Sequence, residues 1–500
     1  NKLKRLKMAK EISRREFVKR GSVGLAAGTV LMSTSAKSYA KILGANDKIN
    51  MAVIGIRGRG GNHIESFSGM KDVHLKYIVD VDEHLFKRRL DEVEQIAGYR
   101  PKTEWDMRKV FEDKDIDAVS IAAPNHWHAL ATAWAAQAGK HVYVEKPSSH
   151  NVFEGRKMVE ASRKYNVLVQ VGFQTRASVG ANRAFKFIKD GKLGEVYMTR
   201  GLCFKPRADI GLYPDGPMKE GEKFRMNLES NSYETPYTEE YLKKVHYDMW
   251  LGPAPERPFN RNRFHYNWHW HWDYGNGDTG NQGPHQFDVA RWMLGKDELP
   301  LKVRSHGGYF AYKSAQETPN TQTSLFEYAD GKLLEFGTRG LFTNPEGTLL
   351  PDIKITGDGK ISAESDATPV KIGTIVLGTE GWMQIDSGGN WQSFFGRKNE
   401  AGPTSGEKDD SYDPMDLSGG GGGIFENFIR AIKSGKRSDL VCEIETGHQS
   451  TVLPLIANVS YRLGRELSLD GKQESFINDK EANRMLTREY RKGFVVPDKV

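Results

Sequence analysis

The chain has 500 residues, of which 38% are hydrophobic and 27% charged. That is room for two or three domains with cores of their own, and it excludes a disordered or fibrous protein. The net charge of +7 is concentrated in residues 1–40, where ten Lys and Arg face two Glu. The rest is near neutral, so nothing global argues for a nucleic-acid partner.

The basic start carries Ser13-Arg14-Arg15-Glu16-Phe17-Val18-Lys19, an uncharged Gly/Ala/Val/Leu stretch from Gly21 to Ser33, and Ser38-Tyr39-Ala40. Residues 1–40 resemble a cleavable twin-arginine signal. The apolar stretch is too short for a membrane span, which needs about 20 residues. The resemblance implies handling by the twin-arginine export machinery, a periplasmic location and no stable membrane anchor. That route carries folded proteins, so a cofactor could be acquired before export.

From residue 41 to 175 the pattern is strand–helix–strand. Apolar strands are expected at Ile49–Ile54, Val73–Val79, Ala118–Ala122, His141–Val144 and Val167–Val171, with helices at Leu130–Ala138 and Gly155–Tyr165 between them. Alternating βα units predict a Rossmann-type α/β domain, a doubly wound parallel sheet with helices on both faces. Residues 176–475 read as an α+β domain with a large, mostly antiparallel open sheet. A helix at Ala181–Lys189 leads into a strand at Glu195–Cys203, followed by an irregular insertion at 205–267. Alternating segments near 301–312, 322–338 and 372–385 supply further strands. Residues 386–423 read as loop, with the glycine run 419–423 as linker. Helices follow at Ile424–Lys433 and about Glu445–Leu463, and 476–500 form a C-terminal tail. Cys203 and Cys442 lie far apart and offer no zinc-ligand spacing; whether they pair is left open by the sequence.

The first strand runs into Gly55-Ile56-Arg57-Gly58-Arg59-Gly60-Gly61 and then a helix. Glycines there let a pyrophosphate approach the backbone, and the helix N-terminus offers N–H donors. Arg57 occupies the place of the second glycine of a G-x-G-x-x-G fingerprint, which leaves Gly58 to provide the close approach. Asp80 ends the second strand, where a carboxylate accepts from ribose hydroxyls and repels a 2′-phosphate; NAD is expected over NADP.

Further on come Ala122-Ala123-Pro124-Asn125-His126-Trp127-His128 and the strand end Val144-Glu145-Lys146-Pro147. With these the chain resembles the Gfo/Idh/MocA family of sugar and polyol oxidoreductases, over about residues 48–470. The resemblance implies that Lys146 is catalytic and reaches a substrate hydroxyl beside the nicotinamide. It places Glu145 near the cofactor ribose, Pro147 in a cis peptide, and Pro124 and Asn125 against the cofactor. His128 is expected at the same loop as a capping or supporting group. It also implies homo-oligomers and a small carbohydrate substrate.

The stretch Gly277-Asp278-Thr279-Gly280-Asn281-Gln282-Gly283-Pro284-His285 matches the family pattern at Gly283 and His285. His285 is the candidate proton acceptor. Asn281 stands where the family has aspartate; it can bond a sugar hydroxyl but cannot take a proton. Asp278 could substitute if the loop folds back. In His265-Tyr266-Asn267-Trp268-His269-Trp270-His271-Trp272-Asp273, an extended backbone would put the tryptophans on one face, so Trp270 and Trp272 are expected to line a sugar subsite. The His-x-His face lacks a third ligand, so no metal is expected. Gln174 and Arg176 complete the substrate edge, although Arg176 could equally pair with a carboxylate at the domain seam. Three functions remain in play: NAD-linked oxidation of a sugar, polyol or glycoside hydroxyl, with the dinucleotide tightly held; glycoside cleavage through transient oxidation on a retained NAD; and a non-catalytic sugar-binding protein, for which Asn281 argues.

Overall fold

The βα alternation of the first 175 residues produces a six-stranded sheet in the computed structural model. Its strands are β1 Ile49–Ile54, β2 Val73–Val79, β3 Lys102–Glu104, β4 Ala118–Ile121, β5 His141–Glu145 and β6 Val169–Gly172. They run in the order β3-β2-β1-β4-β5-β6, all parallel. The order reverses between β1 and β4, which opens a crevice at the carboxyl ends of those strands. Both faces are covered by helices, so the central strands β1 and β4 are mostly apolar; Met51, Ala52, Val53 and Val119 are all fully buried. The helix Gly58–Ser68 docks through Ile64 and Phe67, each fully buried and each contributing about 1.5–3 kcal/mol.

The structure describes residues 48–224, 236–344, 346, 354–355, 361–362, 370–406 and 423–500. The segment 1–40, read as an export signal, and most of the glycine run 419–423 lie outside them. Lys48–Val500 form one unit.

The second sheet has ten strands: β7 Val196–Phe204, β8 Lys302–Gly308, β9 Thr321–Glu327, β10 Leu333–Arg339, then, after the separate hairpin β11 Lys354–Ile355 and β12 Ile361–Ser362, β13 Ile372–Gly378, β14 Gly381–Asp386, β15 Trp391–Phe395, β16 Glu400–Thr404, β17 Leu467–Asp470 and β18 Ser475–Phe476. Only β7 and β10 pair in parallel; the other neighbours are antiparallel. The helices Gly283–Met293 and Ile444–Leu463 cover one face. Phe287 of the first stacks on Phe336 at 3.7 Å between centroids, in a core with Phe326, Val452 and Ile456.

Two sequence expectations change here. Residues 386–406 are not loop but end in the hairpin β15–β16. The Gly/Ser/Asp texture belongs to the turns, where Asp386 Oδ1 accepts from Gly388 N and Asn390 N and Asn399 takes a positive φ of 53°; Trp391 and Phe394 between them are buried. Residues 486–500 run back onto the first domain. There Phe494 meets Trp127 edge-on at 5.7 Å, and Val496 and Val500 enter the same core. Cys203 lies in the second-domain core and Cys442 in the first, both buried and unpaired. Among the described residues no helix is long and apolar enough to cross a membrane.

Candidate active site

A cavity of about 600 Å³ opens where β1, β2, β4 and β5 end, between that edge and the second domain. One wall is the glycine turn. Gly55 holds φ +79°, and a Cβ there would meet the Ala122 backbone at 2.7 Å; at Gly60 it would meet the Gly55 oxygen at 1.8 Å. Around Gly58 a Cβ would meet nothing within 4 Å, so the backbone faces open cavity at this point. The helix Gly58–Ser68 has no side-chain cap and no acidic residue in its first turn, which leaves its N–H groups for an anion. Arg57 and Arg59 also line the cavity.

Asp80 lies at the same edge, accepting from Ile56 N at 2.9 Å and Asp82 N at 3.0 Å. Burial pushes its carboxyl up to about 6 despite those bonds. The helix Asn125–Gln137 starts after Pro124 without a side-chain cap, and Asn125 Nδ2 is buried there without a partner. A left-handed glycine, an open glycine, an uncapped helix start, a carboxylate and an orphaned amide together fit a dinucleotide. His128 lines the same wall, its Nδ1 and Nε2 each 2.7 Å from the Pro147 and Ala123 carbonyls, respectively; burial lowers its pKa, and the single N–H of the neutral ring donates to one of the two.

Glu145 and Lys146 end β5, and the Lys146–Pro147 peptide is cis. Glu145 is buried and accepts from Arg59 Nε at 2.8 Å, Gln174 Nε2 at 3.0 Å and His63 Nε2 at 3.1 Å. Burial alone would raise its pKa, but the His63 bond and the Arg59 charge hold the carboxyl well below its usual range. His63 is fully buried, with Ser120 Oγ 2.7 Å from Nδ1. Because a carboxylate only accepts, Nε2 carries the proton. Lys146 Nζ donates to the Asn281 carbonyl oxygen at 2.7 Å. Burial lowers its pKa, with Glu145 opposing and Arg59 adding to the shift.

His285 lines the cavity opposite, its ring edge-on to Phe173 at 6.1 Å. Burial and the Lys146 charge bring its pKa down to about 3, so the imidazole is neutral in the ligand-free chain and keeps a ring lone pair. Asn281 meets Lys146 through its backbone, while its side chain reaches Asp278 Oδ1 at 3.4 Å. Asp278 does not take the missing aspartate's place. It is held by Arg207 through two bonds of 2.7 Å and does not reach the cavity wall.

The structure thus brings together Gly55, Arg57, Gly58, Arg59, Asp80, Pro124, Asn125, His128, Glu145, Lys146, Gln174, Asn281 and His285 around one cavity, with Gly60 packed beneath the turn. Three expected substrate residues lie elsewhere. Arg176 is spent on Asp288 at 2.8–3.0 Å and stacks over Trp292, the seam alternative. Trp270 and Trp272 are off the wall because 267–270 is a 3₁₀ turn rather than extended chain, which breaks the alternation of faces. Trp270 packs under Arg207, and Trp272 lines a separate cavity. In their stead His265, Tyr266, Trp268 and His269 face the site. His265 is fixed by Asp82 at 2.6 Å, and Asp82 also takes Tyr241 OH at 2.8 Å; this bolts the insertion to the end of β2. His63 sits in no motif, and Tyr266 lies in the aromatic stretch of which the sequence assigned only Trp270 and Trp272 to the site. Among the described residues no cluster of His, Cys, Asp and Glu could hold a metal.

Known proteins bear on this arrangement in three ways. The family model described as "Oxidoreductase family, NAD-binding Rossmann fold" matches residues 49–173, and its companion, "Oxidoreductase family, C-terminal alpha/beta domain", matches 227–334 and 423–496. Levoglucosan dehydrogenase of Pseudarthrobacter phenanthrenivorans is 38% identical over 113 residues, 23% of this chain and 28% of that protein. A glycosyl hydrolase family 109 protein of Shewanella baltica is 28% identical over 173 residues, 31% of this chain and 37% of that protein. The matched segments therefore span well under half the length of these curated relatives. Among solved structures, the WlbA dehydrogenase of Chromobacterium violaceum, in complex with NADH and UDP-GlcNAcA, superposes with a TM-score of 0.56 at 19% identity, covering 85% of this chain and 97% of that one; this likeness is one of fold. The two family models together take in more than half of the chain, on the domains that build the cavity: the protein belongs to the Gfo/Idh/MocA oxidoreductase family.

Proposed function

We propose that the protein is an NAD-dependent oxidoreductase that oxidises a secondary hydroxyl of a sugar, polyol or glycoside. The observation that carries this reading is the meeting of Lys146 and His285 in the cavity that also holds the uncapped glycine turn and Asp80. NAD, when bound, supplies the hydride-accepting carbon; Gly55, Gly58, Asp80, Asn125 and Glu145 would hold it. The chain's own residues manage the oxygen and its proton. Lys146 donates to the carbinol oxygen and offsets the charge that develops there. The neutral imidazole of His285 accepts the hydroxyl proton. Glu145, held by His63, Arg59 and Gln174, fixes the peptide from which Lys146 projects.

Export through the twin-arginine route and retention of the cofactor belong to the same proposal, because soluble dinucleotide is not expected to exchange outside the cytoplasm. The insertion that Asp82 anchors supplies His265, Tyr266, Trp268 and His269 to the wall of the site. Mass spectrometry of small molecules released on denaturation should find NAD rather than NADP. Adding glycosides should then give stable reduced cofactor and a ketosugar. The similarity to the family 109 glycosyl hydrolase favours a second reading, oxidation that is transient and ends in glycoside cleavage. Released aglycone without net cofactor reduction would decide for it.

A further inference from the structure

The 3₁₀ turn Asn267–Trp270 delivers His269 to the cavity. His269 Nδ1 lies 2.5 Å from the Tyr266 carbonyl oxygen. A carbonyl only accepts, so Nδ1 carries the proton and Nε2 keeps its lone pair. The ring is clamped in plane, stacked on Trp268 at 3.6 Å and 20° and backed by Tyr266 at 4.9 Å. Burial, with Lys146 and Arg207 adding to it and the Tyr266 carbonyl opposing, brings its pKa down to about 3; the imidazole stays neutral and Nε2 stays an acceptor. The carboxylates nearest Lys146 are engaged, Glu145 by Arg59, His63 and Gln174 and Asp278 by Arg207. His285 serves the reacting hydroxyl, and His269 is a second rigid acceptor in the same cavity.

We propose that His269 is the residue that selects the substrate class: its Nε2 accepts a hydrogen bond from the hydroxyl next to the one oxidised, so the site takes neutral vicinal diols. This rests on the oxidoreductase reading above and narrows it. A keto or carboxylate oxygen at that place would set lone pair against lone pair, and a deoxy carbon would leave Nε2 without the substrate's hydrogen bond. Both losses fall on binding, because the contact exists before any bond changes.

The test compares vicinal-diol pyranosides with monodeoxy analogues lacking either neighbouring hydroxyl, on the NAD-loaded wild type and on His269→Gln and His269→Leu. In the wild type, kcat/KM should fall roughly 100-fold or more for one of the two deoxy sugars. In His269→Leu that discrimination should shrink to within about threefold, with KM rising more than kcat falls. Two readouts stand apart from turnover. Nitrogen NMR of histidine-labelled protein should show the Nδ1–H tautomer for His269, and calorimetry should show NAD affinity unaltered in both variants. A wild type that oxidises diols and deoxy sugars alike, or a His269→Leu variant that still discriminates, overturns the inference and leaves the oxidoreductase reading standing. Loss of NAD affinity in the variants overturns it too, by assigning Nε2 to the cofactor. A wild type that oxidises no hydroxyl at all removes both.

Discussion

Asp80→Asn separates what the carboxylate does for the cofactor from what it does to the fold. In the ligand-free chain the carboxyl is lifted from 3.8 to about 6 by burial, so above pH 6 its ionised form costs the folded state about 3 kcal/mol. The sign follows from proton binding: between those values the folded state holds the proton more tightly than the unfolded one. Stability therefore falls as pH rises through this window. The amide removes that cost but can keep only one of the two bonds from Ile56 N and Asp82 N, a loss of about 1–3 kcal/mol. The two nearly cancel, so ligand-free stability near neutral pH should change by no more than about 2 kcal/mol, and its pH slope should flatten. Cofactor binding should respond quite differently. A charged acceptor for ribose hydroxyls contributes about 1.5–3 kcal/mol, so NAD should bind roughly 10- to 150-fold more weakly. With the like charge gone, the NAD-to-NADP affinity ratio should move toward NADP. In the wild type NAD affinity should also weaken about tenfold per pH unit below about 6, opposite in sign to the stability slope. Calorimetric titration of both dinucleotides from about pH 5 to about pH 8, beside urea unfolding of the stripped protein, measures all of this. Unchanged NAD affinity in Asp80→Asn, or a ratio that does not move, would refute the assignment of Asp80 to the ribose.

Lys146→Met should retain NAD, since the lysine donates to the Asn281 carbonyl rather than to the glycine turn, while single-turnover reduction of the bound cofactor, followed by absorbance, slows about 10²- to 10⁴-fold. Arg488→Met should destabilise the chain by about 3–5 kcal/mol in urea unfolding. It leaves the fully buried Glu154, 3.4 Å away, with only neutral donors from His150, Asn151 and Tyr490; adding Glu154→Gln should recover much of the loss. Both thiols are sealed in separate cores, so a thiol reagent should label neither in the native protein and both after unfolding, with no disulfide forming under air.

The parts of the site legible in the sequence are those fixed by local geometry. Gly55 and Gly60 are required by a backbone approach within one turn and Asp80 by the end of the next strand, whereas Lys146 was legible only through the family resemblance that Glu145-Lys146-Pro147 carries. Long-range choices were not legible. Whether Arg176 meets a substrate or Asp288 depends on a helix more than 100 positions away. The period of 265–273 reads as alternating, but the chain curls into a 3₁₀ turn, with His265 drawn to Asp82 and His269 to Tyr266. His63 looks like an ordinary helix residue until β5 sets Glu145 against it. Strand β15 was hidden because turn residues on both sides outnumber its few aromatics.

The seam made by residues 494–500 has a consequence for biosynthesis. Phe494, Val496 and Val500 fill the core around Trp127, and the Val500 carbonyl meets Lys164, 336 positions earlier. Within Lys48–Val500 the nucleotide domain is therefore made before residues 494–500 but completed only by them. While translation continues, its apolar helix surface stays uncovered and open to chaperones. A fragment ending at Phe173 would keep that surface exposed for good. This closure forms only when both ends of Lys48–Val500 have been made.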